Sequence, residues 1–308
     1  PIVQRDILDL NRRILLFRQG QLNEESFRSL RLARGVYGQR QPGVQMIRIK
    51  VPMGLLTFDQ FRAILNVCDE FSTGKYHLTT RQDIQIHHVK LEDSPELWAK
   101  LEASNVTLRE ACGNTVRNVT ASPLAGLDPQ EPFNVLPWAE ALWRFFLRNP
   151  VCQEMGRKFK VSFSSSDEDT GLGVMHDLGV LPAVNDAGEL GFKLLVAGGI
   201  GAQPAPAEVL HEWVPTDELI PITRPSSGCL TATENGPSVR RRGSSSSTKP
   251  WGATPCSKRL RASAPCLRGP SRTWRMRNTS PPLRPPWRSF LRLSDTKPGA
   301  RPTYSPKN

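Results

Sequence analysis

Residues 76–89, YHLTTRQDIQIHHV, decide the fold because their polar and apolar side chains alternate as in a half-buried β-strand. Successive side chains of a strand point to opposite faces, so one face is polar and the other is apolar. The polar row is Arg81, Asp83, Gln85 and His87, and the apolar row is Ile84 and Ile86. Guanidinium, amide and imidazole groups can all donate hydrogen bonds, which suits a small oxyanion or a carboxylate-rich ligand. The solvated edge of an ordinary half-buried sheet would show the same pattern.

The flanking segments extend this strand into a small α+β sheet. Residues 46–52, MIRIKVP, alternate in the same way and place Arg48 and Lys50 opposite their apolar row. Residues 58–71 and 94–104 repeat apolar residues at helical spacing. The resulting β-α-β-β-α order predicts a sheet with helices on one face and cations from two strands on the other.

Two helices, over 4–18 and 24–33, are predicted before this sheet as an N-terminal extension. Residues 35–43, GVYGQRQPG, predict a glycine-punctuated loop between the extension and the sheet.

The chain after residue 105 carries more cations. Residues 111–126 are rich in small residues and predict a loop in which the backbone approaches a ligand, with Arg117 on it. Residues 157–164 predict a second two-faced strand with Lys158 and Lys160 on its polar face. The remaining predicted elements are a helix at 137–150, a turn at 176–179, a buried strand at 191–201 and a helix at 205–214.

The cations of these segments suggest one shared site. If the polar faces with Arg48, Lys50, Arg81, Lys158 and Lys160 converge, they form a positive site for a polycarboxylate cofactor and a small anion. Separate, solvated sheet surfaces would explain the same residues equally well.

The net charge of +12 does not describe the folded part of the chain. Residues 225–308 contain 17 lysine and arginine residues against 2 acidic residues, whereas the first 224 residues contain 24 basic and 27 acidic residues. The basicity that would favour nucleic acid as a partner therefore belongs to the C-terminal tail.

The 6 cysteines form no CxxC pair and no regular spacing, so neither a disulfide framework nor a structural zinc site is predicted. A reducing, cytoplasmic location follows as the default. The sequence shows no apolar run long enough for a membrane span and no signal-peptide core at its start, and it begins at Pro1 without Met, as a fragment would.

Several motifs, in fixed order, resemble the N-terminal half of the sirohaem-dependent nitrite and sulfite reductases. They are GVYGQRQPG, MIRIKVP, HLTTRQDIQIH, ACGNTVRNVTASPLAG, GRKFKVSFS, HDLG and GFKLLVAGG, between about Gly35 and Arg224. The resemblance implies an oxidoreductase that uses sirohaem and a [4Fe–4S] cluster, with ferredoxin or a flavoprotein as electron donor. It implies the six-electron reduction of sulfite to sulfide or of nitrite to ammonia.

The resemblance also implies residue roles. Arg81, Arg117, Lys158 and Lys160 would surround the substrate anion, where cations stabilise the negative charge that develops on substrate oxygen. Arg48, Lys50, Gln85, His87 and Asn118 would contact sirohaem, whose carboxylates suit such donors. His87 is equally well explained as an ordinary sheet histidine, and nothing in the sequence marks it as an iron ligand. The Lys158–Lys160 pair leans towards the sulfite-reducing branch of the family.

The sequence departs from the family in its cysteines. The family holds its cluster through C-x5-C followed by C-x3-C in its second half, and this chain has no such spacing. The metal ligands are therefore expected to be absent, and the chain as written is expected to be a truncated, inactive form.

The composition changes after Arg224 to arginine, serine and proline without hydrophobic periodicity. A disordered tail and an out-of-frame translation both fit this change. Codons can be chosen so that one added base turns residues 225–236 into AVLRVFDRHGER and residues 243–256 into RLKFLDETMGRDAL, both family-like. We therefore predict that 225–308 is an out-of-frame, disordered tail.

The predicted domains are a helical extension at 1–42, a ferredoxin-like half-domain at 43–105, the start of the sirohaem and [4Fe–4S] domain at 106–224, and the tail. The alternative function is nucleic-acid binding through the tail, in which Trp251, Trp274 and Trp287 are interleaved with arginines. The family reading predicts no specific nucleic acid and no membrane among the partners.

Overall fold

The computed structural model describes residues 2–153, 155–201 and 204–223. The predicted tail at 225–308, and with it the nucleic-acid alternative, lies outside the described residues.

The first sheet contains four antiparallel strands in the order β1-β2-β4-β3. The strands are β1 (Val36–Gly38), β2 (Val44–Ile49), β3 (Tyr76–Leu78) and β4 (Ile84–Lys90). Helices α3 (Phe58–Phe71) and α4 (Ser94–Glu102) pack on its apolar face, where the strand isoleucines are fully or almost fully buried. A capping box fixes the start of α3, because Thr57 and Gln60 each accept a hydrogen bond from the other's backbone N–H.

Residues 76–89 form a hairpin and not the single strand that the alternation predicts. Strand β3 ends at Leu78, and a tight turn over 79–83 leads into β4. The turn is closed by backbone bonds from Thr79 to Asp83 at 2.9 Å and from Gln82 to Thr79 at 3.0 Å, and Gln82 has a positive φ of 59°. Gln85 and His87 therefore lie on a strand as predicted, whereas Arg81 and Asp83 lie in the turn.

The two N-terminal helices are confirmed as α1 (Ile2–Arg18) and α2 (Glu24–Leu32). They pack as part of the first core, since Leu10, Ile14 and Phe27 are buried in it. The rings of Phe17 and Phe27 stack with centroids 4.4 Å apart, which fixes α1 against α2. The predicted loop at 35–43 is a loop apart from β1.

The second sheet contains five strands in chain order. The strands are β5 (Val116–Ala121), β6 (Phe159–Phe163), β7 (Leu178–Val184), β8 (Leu190–Val196) and β9 (Glu208–Pro215). Pairing is parallel from β5 to β7 and antiparallel from β7 to β9. Helix α5 (Leu136–Phe146) covers one face, and α6 (Leu219–Thr223) follows β9. The described residues thus form an α+β fold with two sheets.

Three predictions for this region differ from the structure. Residues 111–126 contain β5 and are not all loop, and the turn predicted at 176–179 covers only 176–177, because β7 begins at Leu178. Residues 205–214 are not a helix, because most of them belong to β9, which pairs antiparallel with β8. In this pairing Gly191 lies opposite Pro215, and Val196 lies opposite Glu208. Pairing on the open edge of β8 has overridden the local helical spacing. Among the described helices, none is long and apolar enough to cross a membrane.

Candidate anion and cofactor site

The turn 79–83 of the first sheet lies against β5 and β6 of the second, and Arg81 makes the contact. Its Nη2 atom donates to the backbone oxygen of Asn118 and, at 3.3 Å, to that of Val161. In return, Nδ2 of the buried Asn118 donates to the backbone oxygen of Arg81 at 3.1 Å and to that of Val51 at 2.7 Å. These reciprocal bonds fix Arg81 where the two sheets meet.

Arg81 keeps unused donors at this junction. Its Nε and Nη1 atoms are buried and have no hydrogen-bond partner among the described residues. Burial is the main cause that lowers the pKa of Arg81 to about 10, so the group remains a cation at neutral pH. A buried cation with free N–H groups leaves a donor requirement that an anion satisfies. The residues present therefore fit an anionic ligand at this point.

Arg117 is held by the backbone of the segment that precedes it. Its Nε donates to the oxygen of Gly113 at 3.0 Å and its Nη1 to that of Ala111 at 2.5 Å. Burial lowers the pKa of Arg117, and the positive charge of Arg48 adds to this effect. Arg117 therefore lies on β5 and not on a loop as predicted, and the backbone of 111–113 before the strand holds its guanidinium.

The polar face of the first sheet joins the same region. Arg48 on β2 is paired in register with Gln85 on β4. The Gln85 amide is oriented with its oxygen towards Arg48. This oxygen accepts hydrogen bonds from Arg48 Nε at 3.1 Å and from Arg48 Nη2 at 2.5 Å. His77 of β3 pairs with Gln85 from the other side, and its ring lies 6.4 Å from that of His87 between centroids. Burial and the neighbouring histidines lower the pKa of His87, so its ring is neutral at pH 7.

Lys158 directly precedes β6 and Lys160 lies within it, and both interact electrostatically with the arginines. Burial lowers the pKa of both lysines; Arg81 contributes to the shift of Lys160, and Arg117 to that of Lys158. The carboxylate of Asp177 opposes the shift of Lys160 and also accepts a bond from its backbone N–H at 2.8 Å. Arg81, Arg117 and the two lysines therefore act on a common region.

Lys50 is placed differently from the expectation. It follows the end of β2, its side chain is 2% exposed, and its Nζ lies 3.6 Å from Oε2 of the buried Glu110. Burial lowers the pKa of Lys50, and Glu110 opposes that shift. The structure brings Arg48 to the polar face but turns Lys50 into the interior, so a contact between Lys50 and a cofactor carboxylate has no support in this arrangement.

Sequence reasoning missed four residues at the site. They are His77, Gln82, His176 and Asp177. His176 and Asp177 belong to the HDLG motif, which was interpreted only as a turn. Burial and the charge of Arg81 lower the pKa of His176 to about 4, and its Nδ1 atom lies 2.7 Å from the backbone oxygen of Leu172.

Metal ligands are not gathered in the described ranges, where no three histidine, cysteine or acidic side chains are placed to hold an ion. Cys68, Cys112 and Cys152 are buried free thiols there. The site is therefore a collection of hydrogen-bond donors and cations contributed by two sheets.

Two domain families match the chain across this site. Residues 37–104 match the nitrite/sulfite reductase ferredoxin-like half domain, and residues 112–225 match the nitrite and sulphite reductase 4Fe-4S domain. The two matches divide the site between them, since Arg81 lies in the first and Arg117 in the second. The chain belongs to the nitrite and sulfite reductase family, an oxidoreductase family that uses an iron–sulfur cluster and sirohaem.

Curated relatives of both substrate types are similar to the chain. An assimilatory ferredoxin-dependent nitrite reductase of Haloferax mediterranei is 34% identical over 60% of this chain and 34% of the relative. A ferredoxin sulfite reductase of Mycolicibacterium paratuberculosis is 29% identical over 56% of this chain and 31% of the relative. The chain spans about a third of the length of the curated relatives it matches.

A solved structure supports the fold. The NirA protein of Mycobacterium tuberculosis matches with a TM-score of 0.61 and 24% identity, over 69% of this chain and 41% of the other. This likeness establishes the arrangement of helices and sheets.

Proposed function

We propose that the described residues form the substrate-binding part of a sirohaem- and [4Fe–4S]-dependent assimilatory reductase of nitrite or sulfite. The observation that carries the proposal is Arg81, a buried guanidinium with two unpaired nitrogens at the junction of the two matched domains. When bound, sirohaem would supply the iron that coordinates the anion and would pass on the six electrons that the donor delivers. Ferredoxin is the proposed donor, because relatives named as ferredoxin-dependent enzymes match the chain.

The chain's own residues would bind the substrate anion and steer its charge. Arg81, Arg117, Lys158 and Lys160 would stabilise the negative charge that develops on substrate oxygen. These cations are partly or largely buried, so their effect is screened less than on an open surface. The lysine ammonium groups would also donate protons or hydrogen bonds as oxygen leaves as water.

Cofactor carboxylates would be bound by the polar face of the first sheet. Arg48, Gln85 and His77 form one row across three strands, and His87 lies beside it. We assign them to sirohaem carboxylates because charge-assisted bonds to guanidinium groups are strong and directional. Asn118 contributes by holding Arg81.

We place the domain boundary at 105 and 106, between the two family matches, and propose a cytoplasmic protein.

Titration of the purified chain with sirohaem tests the proposal through the absorption and fluorescence changes on binding. Arg48→Gln is expected to weaken binding about tenfold, as for the loss of a charged hydrogen bond. Lys193→Gln is the matched control, because Lys193 pairs with Glu212 in the second sheet and lies outside the site. Equal affinities of the wild type, Arg48→Gln and Lys193→Gln would contradict the assignment.

Anion binding is tested by adding sulfite or nitrite to the sirohaem-loaded chain. The anion is expected to change the absorption spectrum of the wild type, and Arg81→Lys to need at least about tenfold more anion, because an ammonium cannot reproduce the guanidinium fork. Comparing the two anions decides between the sulfite and nitrite branches. An unchanged spectrum with both anions would remove the proposed substrate role.

A further inference from the structure

The side chain of Gln82 binds the backbone of the opposite sheet with both of its amide atoms. Its Nε2 donates to the oxygen of Ala121 at 2.7 Å, and the N–H of Ala121 donates to its Oε1 at 3.2 Å. Ala121 is the last residue of β5. One side-chain amide therefore pairs with both backbone groups of one residue, as a neighbouring strand would.

Gln82 has a backbone conformation that is uncommon for residues other than glycine and that closes the hairpin turn. Its φ of 59° lies in the left-handed region, which residues other than glycine rarely occupy. Gly54 lies against the same side chain, and a Cβ built on Gly54 would come within 3.0 Å of Gln82 Cδ. The Gln82 side chain is thus confined between Gly54 and β5.

The confinement of Gln82 also fixes the turn that carries its neighbour Arg81. Besides the bonds of the Arg81 guanidinium, the turn has two attachments to the second sheet: Asn118 bonds the backbone oxygen of Arg81, and Gln82 bonds Ala121. The guanidinium of Arg81 reaches Asn118 and Val161, and its other nitrogens have no partner among the described residues. The two bonds of Nη2 and the position of the turn backbone together direct the free nitrogens of Arg81. Small displacements of a binding group strongly weaken its action.

We propose that Gln82 is a positioning residue that clamps the turn 79–83 to β5 and thereby aims the free donors of Arg81 into the anion site. The proposal rests on the proposed function only for what Arg81 binds. The clamp itself is a property of the chain without any ligand and can be measured in that state.

The test is hydrogen exchange at the Arg81 Nε–H, measured by NMR on the full ¹⁵N-labelled chain and assigned with Arg81→Lys. In the wild type this buried group is expected to exchange slowly. Gln82→Ala is expected to speed its exchange about tenfold or more, because both bonds to Ala121 are lost. Exchange and chemical shift identical to the wild type would overturn the proposal.

Gln60→Ala is the matched control. Gln60 also binds two backbone groups through its amide, Thr57 N at 2.9 Å and Asn105 O at 3.3 Å, but it lies on α3 away from the site. This variant is expected to lose stability and leave the Arg81 signal unchanged. A shift of the Arg81 signal as large as that in Gln82→Ala would mean that general loosening is responsible, and would contradict positioning.

Gln82→Glu allows the same test with pH as a reversible control of the contact to Ala121. It also replaces the alanine variant if that variant fails to fold. A protonated glutamic acid can donate to Ala121 O and accept from Ala121 N, whereas a carboxylate repels the carbonyl. Arg81 Nε–H exchange, corrected for intrinsic pH dependence with the wild type, is expected to be slow at low pH and faster once the carboxyl ionises. The wild type over the same range also corrects for Asp83 and Arg81, the charged neighbours in the turn. A ratio to the wild type that stays constant with pH would overturn the proposal.

Adding sulfite or nitrite to the sirohaem-loaded wild type separates the two claims. If neither anion binds, the proposed function fails, while the exchange results without ligand still decide the role of Gln82. If an anion binds and Gln82→Ala raises its dissociation constant while Gln60→Ala does not, the clamp serves that function.

Discussion

At the scale of single residues, the site depends on charges that are buried and only partly neutralised. Arginine suits this role because the guanidinium keeps its charge where burial lowers its pKa, as for Arg81 with a pKa of about 10. Asp83 and Asp177 partly neutralise the local positive charge, since both carboxylates raise the pKa of Arg81.

Asp83 is expected to make stability depend on pH. Burial raises its pKa from 3.8 to about 6 although Lys50 and Arg48 oppose the shift. The folded protein then holds this proton where the unfolded chain has lost it, so the free energy of unfolding falls as pH rises from about 4 to above 6. Asp83→Asn removes the ionisation and should gain ~2–3 kcal/mol relative to the wild type between pH 4 and pH 7.5. Urea unfolding of both proteins across this range measures the difference, and parallel pH profiles would contradict the shift.

The Lys50–Glu110 pair provides a second prediction at this scale. Glu110 also accepts bonds from the N–H of Arg148 at 2.7 Å and from Gln153 Nε2 at 2.6 Å, so it anchors the segment before Arg117. Lys50→Met removes the ammonium group beside Oε2 of this buried carboxylate and leaves it with Arg109 Nε at 3.9 Å from Oε1 as a charged partner. This change should cost about 3–5 kcal/mol. The double variant Lys50→Met with Glu110→Gln should recover much of this loss. A double-mutant cycle from denaturant unfolding tests it, and strictly additive losses would mean that the pair does not interact.

Alternation along a strand predicted the residues whose neighbours are set by strand geometry. Arg48 and Gln85 were assigned to one polar face, and they are cross-strand partners. The alternation did not predict the position of Lys50, because β2 ends at Ile49 and Lys50 pairs with Thr107 instead of with β4. Gln82 carried no signal in the sequence, because its contact with Ala121 depends on how two distant sheets pack.

At the scale of elements, helices with capping residues and strong periodicity were predicted well, whereas edge strands were not. Strand β9 carries the spacing of a helix, and β5 carries the composition of a loop. Each becomes a strand because a neighbouring strand presents unpaired backbone groups. This information is long-range, so local propensity cannot supply it.

Helix α1 is expected to be a necessary part of the first core. Leu10 and Ile14 are buried, and Asp6 bonds Arg148 Nε at 2.9 Å. Leu10→Ala should lower the free energy of unfolding by about 2–5 kcal/mol, as for other buried leucines. Leu8→Ala on the same helix is the control, because Leu8 is 59% exposed and its loss should have little effect. Chemical denaturation measures both, and similar small effects would mean that α1 is a detachable extension.

At the scale of the whole molecule, the site requires both sheets. The first sheet supplies Arg48, Gln85 and the turn with Arg81, and the second supplies Arg117 and the two lysines. The first 224 residues carry 24 basic and 27 acidic residues, so this cationic region is a local arrangement and not a consequence of overall charge. Binding is therefore expected to depend on the contact between the two sheets as well as on the folding of each.

Asn118 is expected to control that contact. It is fully buried, and its Nδ2 joins Val51 and Arg81 of the first sheet to β5 of the second. Asn118→Asp places a carboxylate against these two backbone oxygens and removes both bonds, which should cost about 3 kcal/mol or more.

Amide exchange followed by mass spectrometry shows where this cost falls. Peptides covering 79–83 and β5 should exchange faster in Asn118→Asp, whereas the interiors of β4 and β8 should stay protected, because each sheet keeps its own core. Asn114→Asp is the matched control, since it makes the same charge change at an exposed residue beside the same strand. Uniformly faster exchange across both sheets would mean that they unfold as one cooperative unit, and unchanged exchange at 79–83 would remove Asn118 from the junction.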